Sequence, residues 1–313
     1  MGRGSEYNNQ NSFFRKGAAT MEAEKKDGAA LSYAMAMAAV TVWSVTFIST
    51  KYLLKFLLPA EILFCRVVIA YAIFVAMEPR LLKPRGLRAE LPFIAMGLLG
   101  TTLYFLGEIF ALKYGAASNV SLIVAVSPFL TGVAAHFLVR SERISKKFIF
   151  GGFFCLVGVA LVILNGHFIL RLNPAGDLLV LGAALSFALY SIIVRNASSG
   201  CSAVELTRKS FFYALVTLLP LFFTPLMNWH PRVLLNVKIL LNLAFLGGVA
   251  SALCFLAWNK VIWALGAVKA NNLIYFMPAL TTVFAAVILK ERITPFAVAG
   301  GALILAGVYI SQR

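Results

Sequence analysis

An acid set inside an apolar stretch is the residue of this chain best placed to do chemistry. Glu108 closes the motif Tyr104-Phe105-Leu106-Gly107-Glu108, about one helical turn before an apolar run ends. Ionisable groups at such depth are costly to bury, and they are usually functional or paired. The segment after Gly266 repeats the pattern of the segment after Gly115. That alignment sets Asn259, between Trp258 and Lys260, opposite Glu108. A carboxyl at one position and an amide at its counterpart is the asymmetry a proton or cation site would show. The plainer alternative is a carboxylate at the interface, paired with Lys113.

Neutral polar groups form the second candidate set. Asn271, Asn272 and Tyr275 open one apolar run, and the spacing of Asn271 and Tyr275 predicts one helical face. Asn119 and Ser121 open the corresponding earlier run. Amides and phenols bind by hydrogen bonds without a permanent charge, which suits a site that must also release. Trp43, Thr46, Tyr104, Tyr190 and Trp258 join this substrate-binding set. Each has a plainer reading as a hydrogen bond or packing contact between helices. Arg66 lies roughly 10 Å into its run at 1.5 Å per residue. It reads either as a clamp for an anion or as a structural group that snorkels to headgroups or pairs with Glu61, and the structural reading is preferred. His136 is read as a packed or interfacial residue.

Two prolines sit at matching points. Ser127-Pro128-Phe129-Leu130-Thr131 and Met277-Pro278-Ala279-Leu280-Thr281 occupy equivalent places in two apolar runs. A proline inside a helix removes a hydrogen bond and crowds the preceding turn, so Pro128 and Pro278 are expected as hinges near a site. The cysteines Cys65, Cys155, Cys201 and Cys254 are scattered without a CxxC or CxxH pair. No metal site, disulfide framework or cofactor is indicated. With no nucleophile elbow and no phosphate-cradling loop, the chain reads as a non-enzyme.

The elements that must hold these residues follow from composition. Of the 313 residues 61% are apolar and 13% charged, against about half and a quarter in soluble chains. Apolar runs of membrane length fall near 32–51, 59–77, 91–112, 116–139, 147–165, 177–195, 203–224, 239–263, 267–289 and 294–311. The net charge of +16 lies in loops, so it is read through topology and not as a nucleic-acid surface. The break at 166–176 divides the runs into two sets of five. Residues 115–164 and 266–311 are two copies of one segment, each with Glu-Arg-Ile in a polar break (Glu142-Arg143-Ile144, Glu291-Arg292-Ile293) and paired glycines after it. Farther upstream Thr46, Lys51 and Glu61 match Tyr190, Arg195 and Glu205 at one spacing of 144.

Five spans per copy put the second copy into the bilayer upside down. The basic residues gather on one side under this topology, which sets both termini in the cytoplasm by the positive-inside rule. Residues 1–30 are polar and lack the apolar core of a signal peptide, so they are expected as a disordered cytoplasmic tail, and Met21 is a candidate start. The fold expected is an all-α membrane protein of ten transmembrane helices in two inverted five-helix repeats, 31–165 and 176–311. Gly151, Gly152 and Gly158, with Gly300, Gly301 and Gly307, read as close-packing faces of the fifth and tenth helices, within one chain or between two copies as a homodimer.

The order and duplication of these motifs, with Trp43-Ser44-Val45-Thr46-Phe47 in the first span and Arg66 in the second, resemble EamA-type proteins of the drug/metabolite transporter superfamily over about 31–311. The resemblance implies two inverted halves around a central cavity, with the fifth and tenth helices peripheral, and the export or exchange of small metabolites. The second half departs from the pattern, with Ala188 and Leu189 in place of Trp-Ser and Ser210 in place of Arg66. The expected function is a secondary transporter that moves a small metabolite by alternating access across the cell (inner) membrane, most simply an exporter driven by a proton or solute gradient. Its expected partners are that small-molecule substrate and the lipid bilayer. An antiporter for phosphorylated or nucleotide-linked metabolites would need several basic residues facing the cavity. A membrane enzyme would need converging nucleophile, base or metal ligands, and a non-transporting scaffold leaves the duplication unexplained.

Overall fold

A computed structural model describes residues 3–80, 86–114, 120, 123–139, 144–164, 174–197, 201–228, 231–289 and 295–311, with side chains from residue 28 onward apart from 162–164, 231, 282, 285–289 and 297. Regular structure among them is helical. The helices are α1 (Arg3–Leu53), α2 (Pro59–Met77), α3 (Leu87–Tyr114), α4 (Ser127–Leu138), α5 (Lys146–Leu164) and α6 (Pro174–Asn196). They continue as α7 (Ala203–Leu218, then a 3₁₀ turn to Phe223), α8 (Val237–Leu265), α9 (Ala267–Asn272), α10 (Phe276–Leu289) and α11 (Pro295–Ser311). Among the described residues six segments are long and apolar enough to cross a membrane: Gly28–Leu53, α2, α3, α6, Ala203–Phe223 and α8. Large apolar side chains such as Phe153, Leu178 and Leu241 point outward and are mostly exposed. Such a surface suits lipid, because each helix satisfies its own backbone polar groups.

The backbone of residues 3–27 is helical and runs into the first span. Local structure departs from the sequence expectation in two places. The run 116–139 is interrupted: residues 125–126 form a turn and α4 begins only at Ser127. The run 267–289 likewise breaks into α9, a 3₁₀ turn at Leu273–Tyr275, and α10. Pro128 and Pro278 lie in the first turns of the restarted helices, where a missing N–H costs least.

α3 and α8 each contain a π-helical stretch, Gly97–Leu103 and Phe245–Leu253. Both stretches press a glycine against the second helix of the opposite half. A methyl group on Gly97 would meet the Ser210 carbonyl oxygen at 2.5 Å, and one on Gly247 would meet Ile69 Cβ at 2.6 Å and the Arg66 carbonyl oxygen at 3.0 Å. Only glycine allows backbones this close. The packing is reciprocal elsewhere as well. α1 lies on α8 while α6 lies on α3, and α2 meets the α8 π stretch while α7 meets that of α3. The halves interlock, each holding the other's third helix.

α5 and α11 pack along each other at the edge of the bundle. A methyl group on Gly151 would meet the Gly307 carbonyl oxygen at 2.5 Å, and one on Gly158 would meet that of Gly300 at 2.6 Å. These glycines therefore serve contact within the chain. Of the rest, Gly152 is only loosely approached and Gly301 faces open space.

Candidate functional site

The two halves enclose a cavity lined among others by Trp43, Thr46, Arg66, Tyr104, Glu108, Ser127, Phe187, Phe255 and Met277. It lies toward the ends of α1, α2 and α3 that carry Leu53, Pro59 and Tyr114. The cavity volume is about 20 Å³, room for roughly one water. The walls are aromatic and come from both halves. The Trp43 ring centroid is 6.3 Å from that of Phe187 and 5.7 Å from that of Phe255, and Tyr104 stands 5.0 Å from Phe187.

Within these walls sits one pair of opposite charges, Arg66 and Glu108, which are 1% and 3% exposed. Arg66 Nε donates to Ser251 Oγ at 2.5 Å, and its guanidinium carbon lies 3.8 Å from the Phe105 ring centroid, a cation–π contact. Glu108 accepts from the Tyr104 hydroxyl one turn earlier and feels the charge of Arg66. Lys113 is exposed and stands over Tyr114, so the carboxylate faces the cavity and not the interfacial lysine. Glu61 is engaged elsewhere: it accepts from the Leu58 N–H at 2.8 Å and the Asn228 N–H at 3.0 Å. Arg66 therefore neither snorkels nor pairs with Glu61. The partners read for it from the sequence are corrected to Ser251 and Phe105, because depth along a helix says nothing of rotation about it.

Tethers of the broken helices border the cavity. Trp43 Nε1 donates to the Ala250 carbonyl of the α8 π stretch at 2.9 Å. Ser44 Oγ donates to the Met277 carbonyl at 3.3 Å, just before Pro278, and Ser127 Oγ donates to the Ala184 carbonyl at 3.3 Å, just before Pro128.

Of the sequence candidates, Trp43, Thr46, Tyr104 and Glu108 line the cavity. Tyr190, Asn259 and Asn271 do not; they form a layer beneath it, toward the other ends of the helices. The Tyr190 hydroxyl donates to Asn259 Oδ1 at 2.6 Å, and Asn259 Nδ2 donates to Thr207 Oγ1 at 2.9 Å. Asn271 Nδ2 donates to Thr131 Oγ1 at 2.6 Å and to Ser191 Oγ at 3.0 Å. Trp258 packs behind Trp43 at 4.9 Å. Asn272 turns to Ser311 of α11 at 3.1 Å, and the Tyr275 hydroxyl faces α5 near Gly152. The 3₁₀ turn at Leu273–Tyr275 changes the rotation per residue, which separates Asn271 and Tyr275 from the common face expected of them. Asn119, with Ser121, lies outside the described residues.

Sequence reasoning missed Ser251, Phe105, Phe187 and Phe255. Phe187 was within reach: the spacing of 144 sets it, and not Ala188, opposite Trp43, one residue before the Ala188-Leu189 pair read at that place. Ser251 carried no signal, as a small hydroxyl in a glycine-rich run reads as packing.

Apolar helices of membrane length closing on a buried charge pair define a multi-pass membrane protein with an interior polar site. The sequence profile of the EamA-like transporter family matches residues 30–164 and again 174–312; the chain belongs to that family. It is 26% identical to an uncharacterized transporter of Archaeoglobus fulgidus over 86% of this chain and 93% of that one. It is 26% identical to a probable amino-acid metabolite efflux pump of Salmonella typhimurium, covering 88% and 93% of the two chains. With a probable terminal-alkyne amino-acid exporter of Streptantibioticus cattleyicolor it shares 28% identity, over 74% and 75%. One crystal structure superposes with a TM-score of 0.69 at 19% identity, over 90% of this chain and 96% of the other, and so shares the fold. The chain is a membrane transporter.

Proposed function

We propose that the protein is a secondary carrier that exports a small polar metabolite by alternating access, with Glu108 as the group through which a proton or solute gradient drives it. The observation that carries this reading is the Arg66–Glu108 pair, buried in a cavity whose walls come from both halves. A site held between two interlocking units can open to either side as they rock. The reciprocal packing of α1 on α8 and α6 on α3 supports ten membrane crossings in two inverted repeats, 31–165 and 176–311, and the gathering of Lys and Arg on one side supports both termini in the cytoplasm, with the cell membrane as the site. Pro128 and Pro278 act as hinges, since the tethers at Ser127 and Met277 hold the helix starts that must move. The names of the Salmonella and Streptantibioticus relatives support amino-acid-like cargo. A phosphate-bearing cargo is less well served: Arg66 is the basic residue among those lining the cavity, Glu108 opposes it, and Lys113, Lys260 and Lys269 are exposed.

Single-cysteine labelling in intact cells tests the inverted arrangement. With the four native cysteines replaced, Arg143→Cys should react with an impermeant maleimide only after permeabilisation, while Leu170→Cys should react before it. Reaction at position 143 in intact cells would overturn the topology and, with it, two-sided access.

A further inference from the structure

One nitrogen in the cavity is buried without a partner. Arg66 Nη1 makes no hydrogen bond, although the same guanidinium is held through Nε by Ser251 and against the ring of Phe105. Burying a charged donor unpaired is expensive, and here the rest of the group is fixed so that the free donor borders the cavity. Glu108 feels this charge, yet Nη1 does not bond to it; the carboxylate takes the Tyr104 hydroxyl instead. The two charges thus face one cavity without closing on each other, between walls that include Trp43, Phe187, Phe255 and Met277.

We infer that Arg66 anchors the carboxylate of the cargo, with Glu108 meeting its ammonium group, so that the cavity selects an α-amino acid with an apolar side chain. This rests on the carrier reading above and adds to it the division of labour between the two residues. A guanidinium recognises a carboxylate through its fixed fork of N–H donors. A dianionic phosphate in the same place would set like charge against Glu108, and a simple amine would leave Arg66 unpaired. A zwitterion satisfies both groups, and the aromatic and thioether walls take an apolar side chain. The cavity must widen to admit it, since it leaves room for about one water, and cargo binding then favours the wider state in the population.

The test is a titration of the purified full-length protein with leucine, with 3-methylbutylamine, which lacks only the carboxylate, and with 4-methylpentanoate, which lacks only the amine. In the wild type leucine should bind tightest, and removal of the carboxylate should weaken binding on the order of 30-fold. In Arg66→Gln, leucine and 3-methylbutylamine should bind alike; in Glu108→Gln, leucine and 4-methylpentanoate should bind alike. If the carboxylate matters as much in Arg66→Gln as in the wild type, Arg66 is not its anchor. If Arg66→Gln does not fold, Arg66→Lys keeps a cation without the fork and should shrink the carboxylate dependence, and an undiminished dependence there overturns the assignment. Failure of leucine to bind the wild type would overturn the inference outright. The carrier reading would stand or fall separately, on the labelling above.

Discussion

The cavity and the layer beneath it occupy matching places in the duplicated unit and do opposite things. Glu108 and Asn259 correspond by the Gly115/Gly266 alignment, and Thr46 and Tyr190 by the spacing of 144. On the first-half side the groups are charged and one donor is left over. On the second-half side Tyr190, Asn259 and Thr207 form a neutral chain at 2.6 and 2.9 Å, and Asn271 joins Thr131 and Ser191 beside it; the atoms left without partners near it, such as Trp258 Nε1, carry no charge. Satisfied networks rigidify, while unsatisfied charge invites a partner. Duplication supplied two equal positions; on the function proposed above, divergence made one a site and left the other a hydrogen-bonded layer.

The sharpest way to break this contrast is Glu108→Gln. The amide keeps shape and hydrogen bonding but cannot titrate. In vesicles with an imposed pH gradient, accumulation should fall to that of protein-free vesicles, while exchange of saturating cargo persists. Normal gradient-driven accumulation would remove Glu108 from coupling. Next in size is Asn259→Ala, which leaves the Tyr190 hydroxyl and the Thr207 oxygen without their partner. It should cost about 1–3 kcal/mol of stability, measured by unfolding in mixed micelles, whereas Glu108→Gln should cost much less. Equal losses in the two variants would mean that both regions are structural, and the contrast would be gone.

The smallest expected effect is at the helix restarts. Pro128→Ala or Pro278→Ala lets a helix run back into the preceding turn and restores a hydrogen bond worth about 1 kcal/mol. Turnover should slow by roughly fivefold with insertion unchanged, as measured by initial transport rates at equal protein. Unchanged rates in both variants would leave the prolines as packing features.

Much of this was legible in the sequence, for reasons particular residues show. An apolar run announces a span whatever it packs against, and a carboxyl at the depth of Glu108 marks a candidate site beside the plainer reading of an interfacial pair with Lys113. Trp43, Thr46 and Tyr104 reach the cavity with it. Rotation about the helix axis was hidden, since spans apolar on nearly every side carry no period to read. Arg66 for that reason reads as snorkelling or paired with Glu61, and Asn271 and Tyr275 read as one face that the turn at Leu273–Tyr275 divides between two neighbours. The π stretches were hidden for the same cause: Gly97 and Gly247 mark close approach, but nothing in their residue types sets the width of a turn.

Those two stretches hold slack in chain length. A wide turn takes up a surplus residue, so removing one residue from Gly97–Leu103 would let α3 close into an ordinary helix of nearly the same length with Glu108 still turned toward Arg66. Removing one from the regular helix between Tyr104 and Glu108 would instead turn everything beyond by about 100° and carry Glu108 away, while hydropathy and the ends of the span scarcely changed. Descendants of this duplication that keep a working cavity should therefore vary in count, if anywhere, within the wide turns, and agree in count between those turns and the cavity.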